Sequence, residues 1–349
     1  MQGQVSSGLF FEFKNDKFKS GRKSAGAAWT LLFLLPLLAS NHFAFAMSEH
    51  FSSSVELSAA QSTDFWNAVQ DLDGSRGSPV RLERTLRDRY GDNQDAFARL
   101  RIRTCLDDFY FEASGEGTSW AMTENPVVSE LHARVLSMGS VSTGIESAFY
   151  DSALRLRLGV TAGMGSGKRI DGISTDLLEQ VPQQQETVQI IGTDVGLRIE
   201  TPAHHETQIG TSVDYQASSY RSNLQATTLN HRWKSITFAR AYFLGIHLIS
   251  GPQPIPVDIL PRNWDYVHGI TTVPELRALL GAGVNVSFVR FGGGELKAQG
   301  GIYGGYWGAG ATFDARRMVF NTGTWGIGLN SIYQSKAERI WQGSFGLRF

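Results

Sequence analysis

The chain has 349 residues, which is enough for one large domain or two small ones, and its formal net charge is −1. A charge so close to zero gives no indication of nucleic acid as a partner. Cys105 is the only cysteine, so an intramolecular disulfide is excluded.

The first 46 residues have the order of a secretory signal peptide. Five basic residues between Lys14 and Lys23 precede an apolar stretch from Ala25 to Ser40, and Ala44 and Ala46 supply small residues at the A-x-A spacing. The apolar stretch is short for a transmembrane helix and contains a proline. We therefore predict that residues 1–46 are removed after Ala46; the alternative is a retained membrane anchor.

Residues 47–95 differ in composition from the remainder of the chain. The segment begins polar and Ser-rich and then becomes charge-dense. Leu82, Leu86 and Tyr90 recur at every fourth position, which suits a short amphipathic helix. We interpret residues 47–95 as a polar N-terminal extension, in part helical, or as a plug for the domain that follows.

From residue 96 to residue 349 the side chains alternate with a period of two, which is typical of β-strands. Ala98, Leu100 and Ile102 fall on one face and three arginines on the other, and similar runs recur to the end of the chain. Eleven strands can be counted, whereas a single-chain bacterial barrel has an even number. A hairpin at Gly304-Gly305 restores an even number, and a turn at 106–108 is a second candidate. The pattern predicts an up-and-down antiparallel transmembrane β-barrel of about 12 strands, with 10–14 possible.

Three properties favour a membrane barrel over a soluble sandwich. The strands are longer than the roughly 5–6 residues usual in soluble proteins. Their polar face is rich in Arg, Asp, Gln and Gly, and aromatic residues gather near the strand ends. After residue 46 no stretch reaches eighteen consecutive apolar residues, so a membrane crossing would have to be made by a closed barrel.

The last strand ends in a C-terminal aromatic with apolar residues at every second place before it: Trp341, Phe345, Leu347 and Phe349. This pattern resembles the closing strand of bacterial outer-membrane β-barrel proteins. The resemblance implies that the last strand pairs with the first and that the barrel assembly machinery recognises it. It also implies a position in the outer membrane, surrounded by outer-membrane lipid.

The inward-facing charges are the best indication of function. On strand parity, eight of them line the lumen: Arg99, Arg101, Arg103, Arg155, Arg157, Asp194, Arg198 and Asp214. We predict a porin-like channel in which small polar solutes diffuse passively, with anions favoured by the arginine rows. No catalytic residue, cofactor or metal site is predicted. The alternative is that these charges pair with one another and fill a closed interior.

Other motifs lead to weaker hypotheses. The run from Ala162 to Arg169 nearly matches a nucleotide-binding P-loop, but it has Arg169 where Ser or Thr should be, and we interpret it as a Gly-rich surface loop. His204-His205 is interpreted as a solvated turn. Two further functions stay open. One is a barrel enzyme acting on lipid or lipopolysaccharide through Ser212, Asp214 and His247. The other is a structural or adhesive barrel binding a partner through loops 163–186 and 250–277.

Overall fold

Alternating side chains form fourteen strands in the part of the chain that the structure describes, and these strands close into one antiparallel barrel. The computed structural model describes residues 51–75, 78–91, 93–124, 130–150, 153–174, 184–201, 207–252, 255–256, 258, 262, 266–267, 279–291, 293–327 and 338–349. The strands are β1 Phe51–Ser62, β2 Asn93–Leu106, β3 Phe109–Glu124, β4 Glu130–Phe149, β5 Leu154–Ser174, β6 Gln184–Glu200, β7 Thr207–Ser222, β8 Thr228–Ala241, β9 Leu244–Ser250, β10 Leu280–Phe291, β11 Gly294–Tyr303, β12 Tyr306–Ala315, β13 Met318–Ile327 and β14 Glu338–Arg348. The predicted fold class is confirmed.

Each strand pairs with its neighbours in sequence, and β1 pairs with β14 to close the barrel. The predicted number of about 12 strands is corrected to fourteen, partly because both candidate turns are real. Asp107 and Asp108 connect β2 to β3, and Gly304 and Gly305 connect β11 to β12. The two glycines have φ values of 61° and 87°, as a two-residue type I′ turn requires.

The first described strand of the barrel begins at Phe51, so the predicted polar extension over residues 47–95 is corrected. Strand β1 lies within that segment and pairs with β2 from Phe51 to Gln61. The alternation of apolar and polar residues along β1 is weak. Ser54, Ser58 and Ser62 lie on its lumen face, and the apolar residues on its outer face are few and mostly small. The predicted signal peptide, residues 1–46, lies outside the described residues.

Two helices, α1 Phe65–Gly74 and α2 Pro79–Asp88, connect β1 to β2. The predicted apolar spacing is found in α2, where Leu86 is buried. Neither described helix is long and apolar enough to cross a membrane.

Connections alternate in length around the barrel. At the end that carries the chain termini, β2–β3, β8–β9 and β12–β13 are joined by two residues each. The long connections lie at the opposite end, including the one between β9 and β10. The predicted loop over 163–186 is wrong, because β5 continues to Ser174 and β6 begins at Gln184. The P-loop-like glycines are therefore paired strand residues, and His204-His205 lies outside the described residues.

Strand length divides the barrel into two parts. We call β3–β7, with 16–21 residues per strand, the tall half, and β9–β14, with 7–12 residues, the short half. On β5 the outward positions from Leu154 to Met164 are apolar, and Ser166 and Lys168 follow. Ten residue steps of about 3.3 Å, inclined at about 40°, give an apolar band roughly 25 Å tall. The tall half therefore extends beyond this band at the long-loop end.

Candidate functional site in the barrel lumen

The connection between β9 and β10 lies inside the barrel. Its described residues, which we call the crossing segment, are Ile255, Pro256, Asp258, Arg262, Tyr266 and Val267. Ile255 packs among residues of the short half and of the adjoining β1 and β2, and Tyr266 and Val267 pack among residues of the tall half. The segment thus crosses the lumen from one half to the other. In the loop at 250–277, one candidate for binding a partner, these residues therefore lie inside the lumen.

The crossing segment is anchored to the short half by the apolar packing of Ile255. Ile255 is buried in a cluster with Ala60, Phe97, Ile249, Tyr303, Trp325 and Ile340. Trp325 is fully buried because glycines face its ring: a Cβ at Gly308 would approach the ring to 2.5 Å and one at Gly323 to 3.0 Å. The neighbouring strands therefore leave the space that the indole fills, and Ile255 lies in the same cluster.

The crossing segment is anchored to the tall half by Tyr266, through polar and aromatic contacts. Tyr266 stacks on Tyr220 with centroids 4.9 Å apart, and the Arg134 guanidinium lies 4.0 Å above the Tyr266 ring. Arg134 Nε donates to Glu186 Oε2 at 2.8 Å, and the Tyr266 hydroxyl donates to Glu186 Oε1 at 2.7 Å. Glu186 and Arg134 are 0% and 3% exposed, so the two charges compensate each other in a buried site. Burial raises the pKa of Tyr266 despite the nearby Arg134 charge, which keeps the hydroxyl a hydrogen-bond donor.

Arg262, in the middle of the crossing segment, is held by two glutamates of β3. Its backbone N–H donates to Glu116 Oε2 at 2.9 Å. Its Nη2 donates to Glu112 Oε1 at 3.1 Å, and its Nη1 to Thr161 Oγ1 at 2.6 Å. A positive side chain of the segment is therefore matched to acids on the lumen wall.

Asp258 is a negatively charged residue of the crossing segment, and it contacts arginines of β2. Its backbone oxygen accepts a hydrogen bond from Arg99 Nη2 at 2.6 Å. Its carboxylate is looser, with Oδ2 at 3.6 Å from Arg101 Nη1 and 3.9 Å from Arg99 Nη2, and 72% of the side-chain surface is exposed because it projects into a cavity. The low-dielectric interior would raise the pKa of Asp258, but Arg99, Arg101 and Lys234 outweigh that effect and hold the pKa well below its usual range.

The cavity beside Asp258 has a volume of about 360 Å³. Among the described residues it is lined by seven basic and four acidic side chains, a net charge of +3: Arg99, Arg101, Arg103, Arg157, Arg232, Lys234 and Arg262 against Glu112, Asp194, Asp214 and Asp258. A second cavity of about 540 Å³ lies towards the chain termini. Arg103 and Tyr110 line both cavities and so form the boundary between them.

Side-chain pairs brace this boundary. The Arg103 guanidinium lies 4.8 Å from the Tyr110 ring centroid and pairs with Glu146. The Tyr110 hydroxyl donates to Asp194 Oδ2 at 2.9 Å, and Arg157 Nε lies 3.2 Å from the same oxygen. This network therefore lies where the two cavities adjoin.

The eight predicted lumen residues all lie on the inner face by strand parity and register. Six line the smaller cavity, and Arg155 lines the larger one. Arg198 lies near the turn end of β6 and pairs with Glu200. Ion pairing within the lumen, the alternative reading of these charges, is extensive: Arg101 pairs with Glu56, for example.

The sequence prediction missed the charges that hold the crossing segment: Glu112, Glu116, Arg134, Glu186, Asp258 and Arg262. Alternation on β3 could have identified Glu112 and Glu116 as inward-facing. No local pattern could have placed Asp258 or Arg262, because their hydrogen-bond partners are separated from them by 101 to 159 positions in sequence.

The residues considered for an enzyme have separate partners. His247 Nε2 lies 2.8 Å from the Tyr303 hydroxyl, whereas Asp214 pairs with Arg157. No contact joins Ser212, Asp214 and His247 in the described part of the chain. Nor do the described residues place three or more His, Cys, Asp or Glu side chains together as a metal site.

The predicted closing residues lie on the outer face of β14. Trp341, Phe345, Leu347 and Phe349 are all exposed there, while β14 pairs with β1. The pairing of last strand with first strand is confirmed, although the first strand is β1 and not a strand beginning near residue 96. Recognition by the barrel assembly machinery stays a prediction.

Comparisons with known proteins find likeness only in structure. No protein-family model matches the chain, and neither does any curated protein. The P. putida toluene transporter TodX has a TM-score of 0.35 and 8% identity, over 88% of this chain and 90% of that one. The translocator domain of the autotransporter NalP from Neisseria meningitidis has a TM-score of 0.37 and 8% identity, over 93% and 96%.

CdiB from Acinetobacter baumannii matches with a TM-score of 0.36 and 8% identity, over 86% of this chain. This chain spans only 60% of that protein's length. All three TM-scores lie below 0.5.

Proposed function

We propose that this protein is a bacterial outer-membrane transport barrel through which small polar solutes diffuse passively, with anions preferred. The observation that carries the proposal is the smaller lumen cavity, whose described charged side chains sum to +3. A cavity with a net charge, enclosed by low-dielectric walls, raises the local concentration of ions of the opposite sign. Charges in a barrel lumen tune which solutes pass.

The outer surface supports a position in lipid. Large apolar side chains are exposed around the barrel, which is expected of a lipid-facing wall and is rare on a soluble protein; they include Leu158, Val160, Met164, Ile191, Ile209, Leu229, Ile246, Leu248, Val284 and Ile302. Exposed aromatic residues lie near both ends of the band, as interfacial girdles do: Trp307 and Trp341 towards the long loops, and Phe109, Phe149, Phe243, Phe288 and Phe349 towards the turns.

The crossing segment lies across the proposed transport route. It is anchored on both halves of the barrel, and Asp258 and Arg262 project from it towards opposite sets of wall charges. We therefore expect a small conductance with a strong dependence on solute charge, and no step that consumes energy or makes a covalent bond. Outer-membrane lipid and the barrel assembly machinery are the expected partners.

Single-channel recording in a planar bilayer tests this function. The protein is refolded, its barrel is confirmed by heat-dependent gel mobility, and the reversal potential is measured across a KCl gradient. Discrete conductance steps with chloride preferred over potassium are expected. Combining Arg99→Gln with Arg101→Gln should reduce that preference, while Arg81→Gln on the exposed face of α2 should leave it unchanged. A folded barrel that never conducts, or one that prefers potassium, would contradict the proposal.

A further inference from the structure

We propose that the smaller lumen cavity is a binding site for a small polyvalent carboxylate anion, and that the Asp258 carboxylate occupies part of this site as a tethered competitor. The proposal rests on the proposed function and names the solute class that the same lumen would select. Asp258 would then mark, within the protein itself, the place where a solute carboxylate binds.

The two contacts of Asp258 differ in kind. The segment is fixed through its backbone, whose oxygen accepts a charge-assisted hydrogen bond of 2.6 Å from Arg99. The carboxylate stands 3.6 Å from Arg101 and 3.9 Å from Arg99, beyond ordinary hydrogen-bond distance, and is mostly exposed to the cavity. The carboxylate is therefore displaceable without detaching the segment.

The cavity lining is net positive even with Asp258 in place, although Glu56 and Glu146, outside the lining, pair with Arg101 and Arg103. Arg99 and Arg101 on β2 and Arg232 and Lys234 on β8 all act on the Asp258 carboxylate and all line the cavity. Strands β2 and β8 lie on opposite sides of a fourteen-stranded barrel, so these cations surround the site from two walls. Displacing Asp258 leaves the described lining at +4, which favours an anion with more than one carboxylate over a monovalent one.

The other acids of the cavity already have defined roles. Glu112 holds Arg262. Asp194 accepts from Tyr110, and both Asp194 and Asp214 pair with Arg157. Asp258 is the described acid that meets its cations only at long range. A volume of about 360 Å³ lies within the roughly 300–1,000 Å³ range of small-molecule sites, and it fits a compact solute such as a tricarboxylate.

Isothermal titration of the full-length barrel, folded in detergent, with citrate tests the site independently of conductance. Asp258→Asn removes the competing charge and keeps the side-chain shape. It should tighten citrate binding about fivefold, the upper end of what an exposed ion pair contributes. Arg101→Gln and, separately, Arg232→Gln should weaken binding about tenfold, because each removes a charged donor. Asp88→Asn on α2 is the matched control for loss of a carboxylate outside the barrel, and glucose is the uncharged control ligand.

The outcomes separate this site from the channel. Unchanged or weaker citrate binding in Asp258→Asn would overturn the competitor role. Phosphate binding as tightly as citrate, with the same response to Asp258→Asn, would overturn the carboxylate class. A conducting, anion-selective barrel that does not bind citrate would refute the binding site and leave the proposed channel intact. A barrel that binds citrate but does not conduct would refute the channel and leave the binding site intact.

Discussion

The tall and short halves of the barrel hold the same crossing segment by different chemistry. In the tall half, Tyr266 is fixed by a buried ion pair, hydrogen bonds and ring stacking on β4, β6 and β7. In the short half, Ile255 is fixed by apolar packing around Trp325. The tall strands extend past the apolar band and so present additional wall to the segment. The short strands end sooner and offer only a compact cluster near their rim.

This difference assigns distinct properties to the two anchors. Charge-assisted hydrogen bonds are directional, so Arg134 and Glu186 set where Tyr266 can lie. Apolar packing is not directional, and its strength follows the buried area and the fit around Ile255. The polar anchor therefore sets the position of the segment, and the apolar anchor ties its other end. Between them Asp258 and Arg262 are held across the lumen.

The largest effect is expected from Arg134→Met. The change leaves Glu186, which is fully buried, without its countercharge, and breaking one side of a buried pair costs about 3–5 kcal/mol. We expect the free energy of unfolding, measured by urea titration in lipid vesicles, to fall by that amount. Conductance should rise, because Tyr266 also loses the guanidinium above its ring and the donor to its carbonyl.

Arg84→Met on the exposed face of α2 is the control and should leave both quantities unchanged. A variant as stable as the wild type would show that the tall half does not depend on this pair.

The barrel and its inward charges could be predicted because both follow from a period of two along single strands. Arg99, Arg101 and Arg103 needed only the alternation of β2 to be placed on the inner face. Strand β1 was missed because its inward positions mix serines with Glu56 and Ala60, and Ser53 and Gln61 interrupt the apolar residues on its outward face. The crossing segment could not be predicted, since its partners are distributed over β2, β3, β4 and β6 and only the closed barrel brings them together.

Ile255→Ala should weaken the short-half anchor with the polar anchor intact. Truncating a buried isoleucine typically costs about 2–5 kcal/mol, and Ile255 is 3% exposed. We expect reduced stability in urea titration, with longer open times in single-channel recordings as this end of the segment detaches. Ile246→Ala, on the lipid-facing side of β9, makes the same truncation outside the lumen. If the two variants behave alike, Ile255 does not tie the segment.

A third pair of variants locates the boundary of the apolar band on the tall half. Val160 and Ser166 both face outwards on β5, the first within the band and the second beyond it. Val160→Arg should lower the free energy of unfolding in lipid by about 2–4 kcal/mol, as arginine near the bilayer midplane does, and Ser166→Arg by at most about 1 kcal/mol. Equal costs at the two positions would mean that the tall half does not extend out of the bilayer.

The smallest expected effect is the pH dependence of the stability that Asp258 contributes. Asp258 lies in the middle of the crossing segment, between its two anchors. The pKa of Asp258 is depressed by Arg99 and Arg101, so its stabilising charge is present at every pH above the ordinary aspartate value of about 4 and is lost only as the pH falls through the lowered pKa. The difference in unfolding free energy between wild type and Asp258→Asn should therefore be constant from pH 7 to pH 5. It should shrink only below about pH 4. A difference that already declines between pH 7 and pH 5 would show that the cations of β2 and β8 do not hold this carboxylate, and the crossing would then depend on its two anchors alone.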